Sequence, residues 1–348
     1  MRLEVPEEKM TPKERVLGML QGKPVDRFPS APLLLNCCSR VTGVPVSRFN
    51  SNAQVMGEAH VQAWHRYGHD MPLMFSTTST LAEAMGTKLY FPEDDAPRVE
   101  APIVENPADL NKVQVADPWR DGRLPVYLGA AQHVLSEIGD KVFVGCIFAA
   151  PFTTASHLRG TETLVKETYK NPKLVNELML LAKASAFNMI DAMVEIGVIP
   201  VIVEPVASAS LISPRQFEKI VLPHLKDIVD RAHKKGSPIC LHICGQTTLI
   251  IELMAESGAD ILSVDQINLG VAKSKAGDKA CLLGNVKPAE TLLKGTPEQV
   301  TAEVREILET AGDSPRGLII SSGCETPLNT PPANIDALIG AVRKYGQL

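Results

Sequence analysis

The sequence of 348 residues predicts a (β/α)8 TIM barrel with an N-terminal helical extension and an insertion between the second and third strands. Eight short apolar runs rich in β-branched residues are mostly separated by stretches of helical character. Residues of reactive types end or follow the later runs, and a barrel gathers the carboxyl ends of its strands at one mouth. An open doubly wound sheet is the alternative. It is disfavoured because no glycine-rich phosphate-binding turn follows an early strand and because it would spread the reactive residues in a row.

The predicted elements follow in order along the chain. The strands are 28–35, 71–76, 142–149, 199–204, 239–244, 261–265, 281–286 and 318–322, and the main amphipathic stretches are 54–67, 161–196, 216–235, 248–257 and 298–311. Three helix starts carry a hydroxyl residue, then proline, then Glu or Gln at the third helical position. This pattern is typical of a capping box, and the capping residues are Thr11, Ser213 and Thr296.

The segment 77–124 is rich in turns and is interpreted as an insertion within a single domain that spans 1–348. It contains the runs Pro-Glu-Asp-Asp-Ala-Pro at 92–97 and Ala-Asp-Pro-Trp at 116–119. The insertion is predicted to be a lid or a docking surface for a partner. A surface excursion without a catalytic role is the equal alternative.

Composition narrows the class of protein. The net charge of -5 is spread over charges of both signs, which gives no basic stripe for nucleic acid. The first nine residues lack the apolar core of a signal peptide, and no apolar stretch reaches membrane-spanning length. We therefore expect a soluble, cytoplasmic protein without membrane or nucleic-acid partners. Seven cysteines in such a chain favour reduced thiols over a disulfide framework.

Three residues form a candidate metal site. His242 and Cys244 lie two positions apart on a predicted strand, so their side chains point to the same face, and Cys324 follows the last strand. One imidazole and two thiolates are three of the four ligands that a tetrahedral zinc ion favours, and the fourth place remains for substrate. The sequence therefore predicts one catalytic zinc ion. A buried histidine with two inert thiols is the alternative.

Other strand-end residues are candidates with weaker support. Glu204 is predicted to be a fourth zinc ligand displaced by substrate or an orienting carboxylate, with a structural role at a helix N-terminus as the alternative. Asp265 and Asn285 are predicted to contact substrate or cofactor, although each is also suited to binding loop amides. The remaining cysteines are interpreted as packing thiols, namely Cys37, Cys38, Cys146, Cys240 and Cys281.

An aromatic substrate pocket is predicted near the ends of the second and third strands. Its candidate residues are Phe75, Phe148 and Phe152, together with Met74 and Met85. These side chains are equally suited to an ordinary core.

Several motifs carry a family resemblance. They are Glu-Pro-Val-Ala-Ser at 204–208, Leu-His-Ile-Cys-Gly at 241–245, Leu-Gly-Asn-Val at 283–286, Gly-Cys at 323–324 with Thr-Pro-Pro-Ala-Asn at 330–334, and the N-terminal runs 11–16 and 25–29. With these motifs the chain resembles the uroporphyrinogen decarboxylase superfamily, specifically its corrinoid-dependent methyltransferase branch, which includes the methylcobamide:coenzyme M methyltransferases. The resemblance implies a zinc site built by the His-x-Cys pair and the distant cysteine.

The resemblance also frames the expected activity. Decarboxylases of the superfamily use an arginine-rich N-terminal segment, whereas 32–40 here is mostly apolar and offers only Arg40, so decarboxylation is disfavoured. We expect zinc-dependent methyl transfer between the cobalt of a corrinoid (cobalamin) protein and a small molecule. The small molecule is either a thiol acceptor such as coenzyme M or a methoxylated aromatic donor.

Further alternatives concern the substrate and the partners. A sulfonate calls for cations, and the candidates are Arg40, Arg159 and Lys287. The corrinoid is expected on a separate partner protein, because no cobalamin-binding domain is found in this sequence. A homo-oligomer is compatible with the sequence. A non-catalytic binding partner of a corrinoid protein is the remaining hypothesis.

Overall fold

The computed structural model describes residues 8–348, so most of the N-terminal stretch expected not to be a signal peptide lies outside the described residues. The strands are β1 (Leu73–Met74), β2 (Lys88–Tyr90), β3 (Arg98–Ala101), β4 (Gly145–Ala149), β5 (Ile199–Val203), β6 (Cys240–Gln246), β7 (Ile261–Gln266), β8 (Cys281–Val286) and β9 (Leu318–Ser322). Seven of them form one curled parallel sheet in the order β1-β4-β5-β6-β7-β8-β9. The fold is the predicted α/β barrel of the TIM type.

The first predicted strand, 28–35, differs from the structure. Only Ser30 forms a parallel bridge with Ile320 of β9, and the backbone then turns into a 3-10 helix at Leu35–Cys37. The backbone N–H of Asp70 donates to the carbonyl of Ser30 on the other side, so this short segment occupies the eighth place between β9 and β1. Prolines at 29 and 32 carry no N–H, which prevents a longer ladder here.

Helices connect and surround the strands. They are α1 (Pro12–Leu20), α2 (Cys38–Thr42), α3 (Val46–Ser51), α4 (Ala53–Tyr67), α5 (Thr80–Ala84), α6 (Leu124–Ile138), α7 (Pro151–Arg159), α8 (Thr161–Lys170), α9 (Pro172–Ile196), α10 (Pro214–Gln216), α11 (Leu222–Lys234), α12 (Ile251–Glu256), α13 (Leu269–Ala276), α14 (Pro297–Ala311) and α15 (Pro332–Tyr345). Two further 3-10 turns are Pro107–Lys112 and Pro205–Ala207, and two π turns are Phe217–Val221 and Pro288–Leu293. Strands β4 and β5 are buried at every position, as expected when helices cover a parallel sheet.

The predicted capping boxes are present at all three sites. Thr11, Ser213 and Thr296 each accept from the amide of the third helical residue, whose side chain accepts in return from the amide of the capping residue. The predicted helix 161–196 is instead two helices, α8 and α9. They separate at Asn171, whose side chain caps α9 by accepting from the amide of Leu174.

The predicted insertion, 77–124, contains α5, the antiparallel hairpin of β2 and β3, and a 3-10 turn. The hairpin turn is attached to the N-terminal helices by a two-pronged ion pair from Arg40 to Asp94 and by a hydrogen bond from the amide of Ser47 to the carbonyl of Glu93. Across 8–348, no helix has the length and apolar character needed to cross a membrane.

Candidate metal centre and the adjoining cavity

The three predicted ligands meet at the carboxyl end of the barrel. His242 and Cys244 lie on β6, and Cys324 lies two residues beyond the end of β9. The Nε2 atom of His242 is 2.9 Å from Cys244 Sγ, which is 3.0 Å from Cys324 Sγ. All three potential ligand atoms lie within 4.8 Å of one another, and within 8–348 they are the one such group of His, Cys, Asp or Glu side chains.

The donor set fits a tetrahedral metal ion. With Zn–S near 2.3 Å and Zn–N near 2.0 Å, tetrahedral geometry places a nitrogen and a sulfur ligand roughly 3.5 Å apart and two sulfur ligands roughly 3.8 Å apart. The separations of Cys244 Sγ from His242 Nε2 and from Cys324 Sγ, 2.9 and 3.0 Å, are shorter than this, so an outward movement of the side chains by less than about 1 Å accommodates an ion. Two sulfurs and one imidazole nitrogen are the donors that zinc prefers.

The backbone around Cys244 explains how β6 ends at this point. Gly245 has φ of 71°, a left-handed conformation that favours glycine, and the pairing of β6 with β7 shifts register between Ile243 and Gln246. The amide of Gly245 donates to the Asp265 carboxylate at 2.8 Å. The ligand-bearing turn is thereby attached to the end of β7.

Ser263 on β7 orients the histidine. It is the register partner of His242 across the parallel ladder, and its Oγ lies 2.9 Å from His242 Nδ1. This contact leaves Nε2 to face the two thiols. Sequence reasoning missed Ser263, although its position two residues before Asp265 on the same strand face was a usable signal.

The two thiols share one proton readily. The hydrogen bond from Cys244 lowers the pKa of Cys324 to about 4, although burial acts in the opposite direction, and His242 contributes further to the lowering. That same hydrogen bond, together with burial, raises the pKa of Cys244 well above its usual range. The first thiolate therefore forms easily, and binding a metal would release the second proton.

An apolar cavity of about 240 Å³ adjoins the three ligands. Its walls are mostly aliphatic. They come from several barrel strands and from the segment before the 3-10 turn at Leu35–Cys37, and they include Leu33, Met71, Leu73, Ile147, Val201 and Leu283. Cys240 also lines it, one pleat deeper than His242. A small concave apolar site beside a few polar groups is the usual form of a ligand pocket.

Glu204 lies apart from this ligand group. Its side chain is fully buried, and its two carboxylate oxygens accept from the amides of Phe152 and Thr153 at 2.8 and 2.7 Å, in the first turn of α7. Burial raises the pKa of Glu204 to about 7, against the lowering effect of these hydrogen bonds. The contacts favour the helix-terminus role, and a role as metal ligand stays a prediction.

Asp265 and Asn285 bind loops in this structure. Asp265 accepts from the amide of Gly245. It also packs closely against Gly323, where a Cβ atom would lie only 2.8 Å from Asp265 Oδ1. Asn285 Nδ2 donates to the carbonyls of Asp265 and Ile267, both at 2.7 Å. Both side chains line a separate polar cleft next to α14 and not the apolar cavity, and their contact with substrate or cofactor stays a prediction.

The predicted aromatic pocket is only partly assembled. Phe75 lines the cavity, whereas Phe148 and Phe152 are buried and absent from its lining. Met74 and Met85 are likewise fully buried. These four side chains are covered by neighbouring elements in this structure, and contact of Phe148 and Phe152 with substrate stays a prediction.

The predicted cations are engaged elsewhere. Arg40 pairs with Asp94, Arg159 pairs with Glu167, and Lys287 lines the polar cleft. No Lys or Arg is among the described residues that line the cavity.

Glu325 is a cavity residue that sequence reasoning missed. It follows Cys324 directly, and its Oε1 accepts from the backbone amide and the side-chain amide of Asn36 at 3.2 and 2.9 Å. Burial raises the pKa of Glu325 to about 7. Adjacency to Cys324 was its only signal in the sequence, because a loop residue after the last strand has no periodic pattern.

The fold and the site together define a TIM-type barrel with a thiol-rich ligand group and a cavity at the carboxyl ends of its strands. The chain belongs to the uroporphyrinogen decarboxylase (URO-D) family, which it matches over residues 11–345. The family includes both methyltransferases and decarboxylases among the similar proteins.

Three relatives illustrate the range. The chain is 29% identical over 344 residues to Methylcobamide:CoM methyltransferase MtaA of Methanosarcina barkeri (strain Fusaro), covering 96% of this chain and 98% of that protein. It is 27% identical over 302 residues to uroporphyrinogen decarboxylase of Aliivibrio fischeri (strain MJ11), covering 84% and 83%. A solved methyltransferase from Methanosarcina mazei superposes with a TM-score of 0.88 at 29% identity, covering 97% of this chain and 99% of the other.

Proposed function

We propose that this protein is a zinc-dependent methyltransferase that moves a methyl group between the cobalt of a corrinoid carried by a partner protein and a small molecule. The observation that carries the proposal is the convergence of His242, Cys244 and Cys324 beside an apolar cavity. Three protein ligands leave one position for substrate, as in catalytic zinc sites. The near full-length similarity to a methylcobamide:CoM methyltransferase supports the corrinoid as methyl carrier.

The three side chains would hold the metal, and each has a defined part in doing so. His242 would bind through Nε2 because Ser263 engages Nδ1. Cys244 and Cys324 would bind as thiolates. The low pKa of Cys324 favours its thiolate form at neutral pH. When bound, zinc supplies Lewis acidity that keeps a substrate thiol ionised or polarises a methyl ether oxygen.

The cavity determines what this chain contributes beyond the ligands. Its mostly aliphatic walls surround the open side of the ligand group with apolar side chains, which strengthens charge interactions there. The proposal places the corrinoid on a partner protein, in keeping with the similarity to a methylcobamide:CoM methyltransferase. A thiol acceptor and a methoxylated aromatic donor both remain within the proposal. Phe75 is the one predicted aromatic residue in the cavity wall.

Decarboxylation of a uroporphyrinogen-type substrate is the second candidate, because decarboxylases are among the relatives. The cavity disfavours it. A tetrapyrrole with many carboxylates requires arginine clamps, whereas the described cavity walls contain neither Arg nor Lys.

Metal analysis together with methyl-transfer kinetics tests the proposal. We expect wild type to hold about one zinc ion per chain and to transfer methyl groups to or from free cobalamin. Cys324→Ala removes a ligand, so its metal affinity and its transfer rate should each fall by about a hundredfold or more. Cys281→Ala is the matched control, since Cys281 is a buried thiol of β8 outside the cavity.

Two outcomes would contradict the proposal. Wild type without stoichiometric zinc would remove the metal role, and full transfer activity in metal-free Cys324→Ala would separate the activity from the site. Zinc binding without any turnover on methoxylated aromatics, methylamines, methanol-derived donors or thiols would support the non-catalytic alternative.

A further inference from the structure

Glu325 places a carboxylate beside the candidate metal centre. It directly follows Cys324 and lines the same cavity as His242 and Cys244. Among the described residues of the cavity wall, Glu325 is the one ionisable side chain apart from His242 and the cysteines.

The position of this carboxylate is fixed by a buried network. Oε1 accepts from the backbone amide and from Nδ2 of Asn36. Asn36 in turn donates to the carbonyl of Ser76 at 2.8 Å, and its Oδ1 accepts from Asn50 at 2.9 Å. A carboxylate held in this way is preorganised for a ligand and loses little rotamer freedom on binding.

The second oxygen of Glu325, Oε2, makes no hydrogen bond to any described residue, whereas the neighbouring polar groups of the wall already have partners. Thr78 Oγ1 contacts His157 Nε2 at 2.9 Å, and Ser76 Oγ accepts from Arg123 at 3.0 Å. Oε2 of Glu325 is therefore a carboxylate oxygen of the described cavity wall that remains available to a ligand.

No Lys or Arg among the described residues of the cavity wall offsets this carboxylate. Arg123 approaches the wall only through Ser76, and its charge is matched by Glu83, which accepts from Arg123 Nε at 2.9 Å. An anionic group on a substrate would therefore meet a carboxylate in an apolar site, where repulsion between like charges is strong.

We propose that Glu325 selects the small-molecule substrate of the proposed methyl transfer, through a hydrogen bond from a neutral or cationic donor group to its free oxygen. The substrate class is then a thiol or methyl ether that carries a hydroxyl or an ammonium group. Substrates that carry a sulfonate or a carboxylate are disfavoured. This inference rests on the proposed function and specifies the substrate of the same site.

Three thiols that differ only in their terminal group test the inference: mercaptoethanol, cysteamine and mercaptoethanesulfonate, with their three-carbon homologues. Binding to the zinc-loaded protein is measured by calorimetry at about pH 8.5, above the pKa of about 7 to which burial raises Glu325, so that its carboxylate is ionised. Visible absorption of cobalt-substituted protein reports whether the thiol sulfur reaches the metal. Wild type should bind cysteamine at least about tenfold more tightly than the sulfonate, as expected for one charge-assisted hydrogen bond.

Glu325→Gln keeps the shape of the side chain and an oxygen for Asn36. We expect this substitution to weaken the binding of cysteamine by about tenfold and to change the affinity for mercaptoethanol by less than about threefold. The preference for cysteamine over the sulfonate should become smaller. Glu306→Gln is the matched control, because it removes the same charge from an exposed residue of the polar cleft and should leave all three affinities unchanged.

The outcomes separate the two proposals. A protein that retains zinc but binds the sulfonate most tightly, or whose preference for cysteamine over the sulfonate is equally large in wild type and Glu325→Gln, overturns the role of Glu325 and leaves the methyltransferase proposal standing. A wild-type protein that holds no zinc overturns both.

Discussion

Ser263 determines which nitrogen of His242 faces the candidate metal position. Its hydroxyl lies 2.9 Å from Nδ1, on the opposite side of the imidazole from Cys244. A hydroxyl that accepts from Nδ1–H keeps the lone pair of Nε2 available for a metal and fixes the ring plane. One hydroxyl group thereby prepares the nitrogen ligand before any ion arrives.

Removing that hydroxyl should loosen the site without removing a ligand. For Ser263→Ala we expect about a tenfold loss of zinc affinity, as is typical for a partner of a metal-bound histidine. Competition with a chromogenic chelator measures the affinity. Ser274→Ala, which changes an exposed serine of α13, is the control. Equal zinc affinity in wild type and Ser263→Ala would show that the ring needs no such support.

At the scale of elements, Glu204 joins the end of β5 to the start of α7. Its carboxylate accepts from two amides in the first turn of that helix, and its own backbone amide donates to the carbonyl of His242 on β6. Amides at a helix N-terminus have no partner within the helix, so a buried carboxylate satisfies them well. Two connections of the barrel mouth therefore depend on one residue.

Glu204→Gln distinguishes this role from that of a metal ligand. A glutamine amide has one accepting oxygen, so one buried helix amide loses its partner, and we expect about 1–3 kcal/mol of lost stability. Chemical denaturation measures this loss, and zinc content should stay at the wild-type level. Glu298→Gln, an exposed acid in the first turn of α14, is the control. A large drop in zinc affinity with unchanged stability would instead identify Glu204 as a ligand.

Over the whole molecule, a buried charge cluster closes the barrel at the end opposite the site. Asp70 accepts from Arg27 at 2.8 Å, from Arg15 and from the amide of Ser30, which holds the incomplete first strand against β1. Asp26 extends the cluster by a two-pronged ion pair with Arg15. Breaking a buried ion pair leaves an uncompensated charge, so both arginines are needed to keep Asp70 paired at this end of the barrel.

The cluster predicts a loss of stability in acid. Burial alone would raise the pKa of Asp26, but the hydrogen bond and charge of Arg15 outweigh it and lower that pKa from 3.8 to about 2. The contribution of ionised Asp26 to the free energy of unfolding is therefore complete above its unfolded-state pKa of 3.8. This contribution disappears as pH falls through about 2. Thermal unfolding should show a stability gap between wild type and Asp26→Asn that shrinks over this range. Asp278→Asn, at an exposed acid, should show no such change, and a gap of constant size down to the lowest pH would contradict the assignment.

Much of the barrel is predictable from the sequence because buried parallel strands are short apolar runs. Strands β8 and β9 begin and end as predicted, and most of the others differ by a few residues at their ends. Among the eight predicted strands the exception is 28–35, where the two prolines stop the ladder after one bridge, and the short hairpin strands β2 and β3 were not predicted. The boundary at Asn171 was missed because the helical pattern continues through it, although its Asn-Pro pair is a helix-start signal.

The sequence by itself determined the barrel class, the shared face of His242 and Cys244 and the capped helix starts, since period and capping chemistry are local properties. Only the tertiary structure decided what surrounds them. It brought Cys324 to within 3.0 Å of Cys244, engaged Glu204 with α7, placed Phe148 and Phe152 in the core, and put Glu325 in the cavity wall. These neighbours come from distant parts of the chain, so their contacts depend on how the strands close into a barrel and not on any spacing along the sequence.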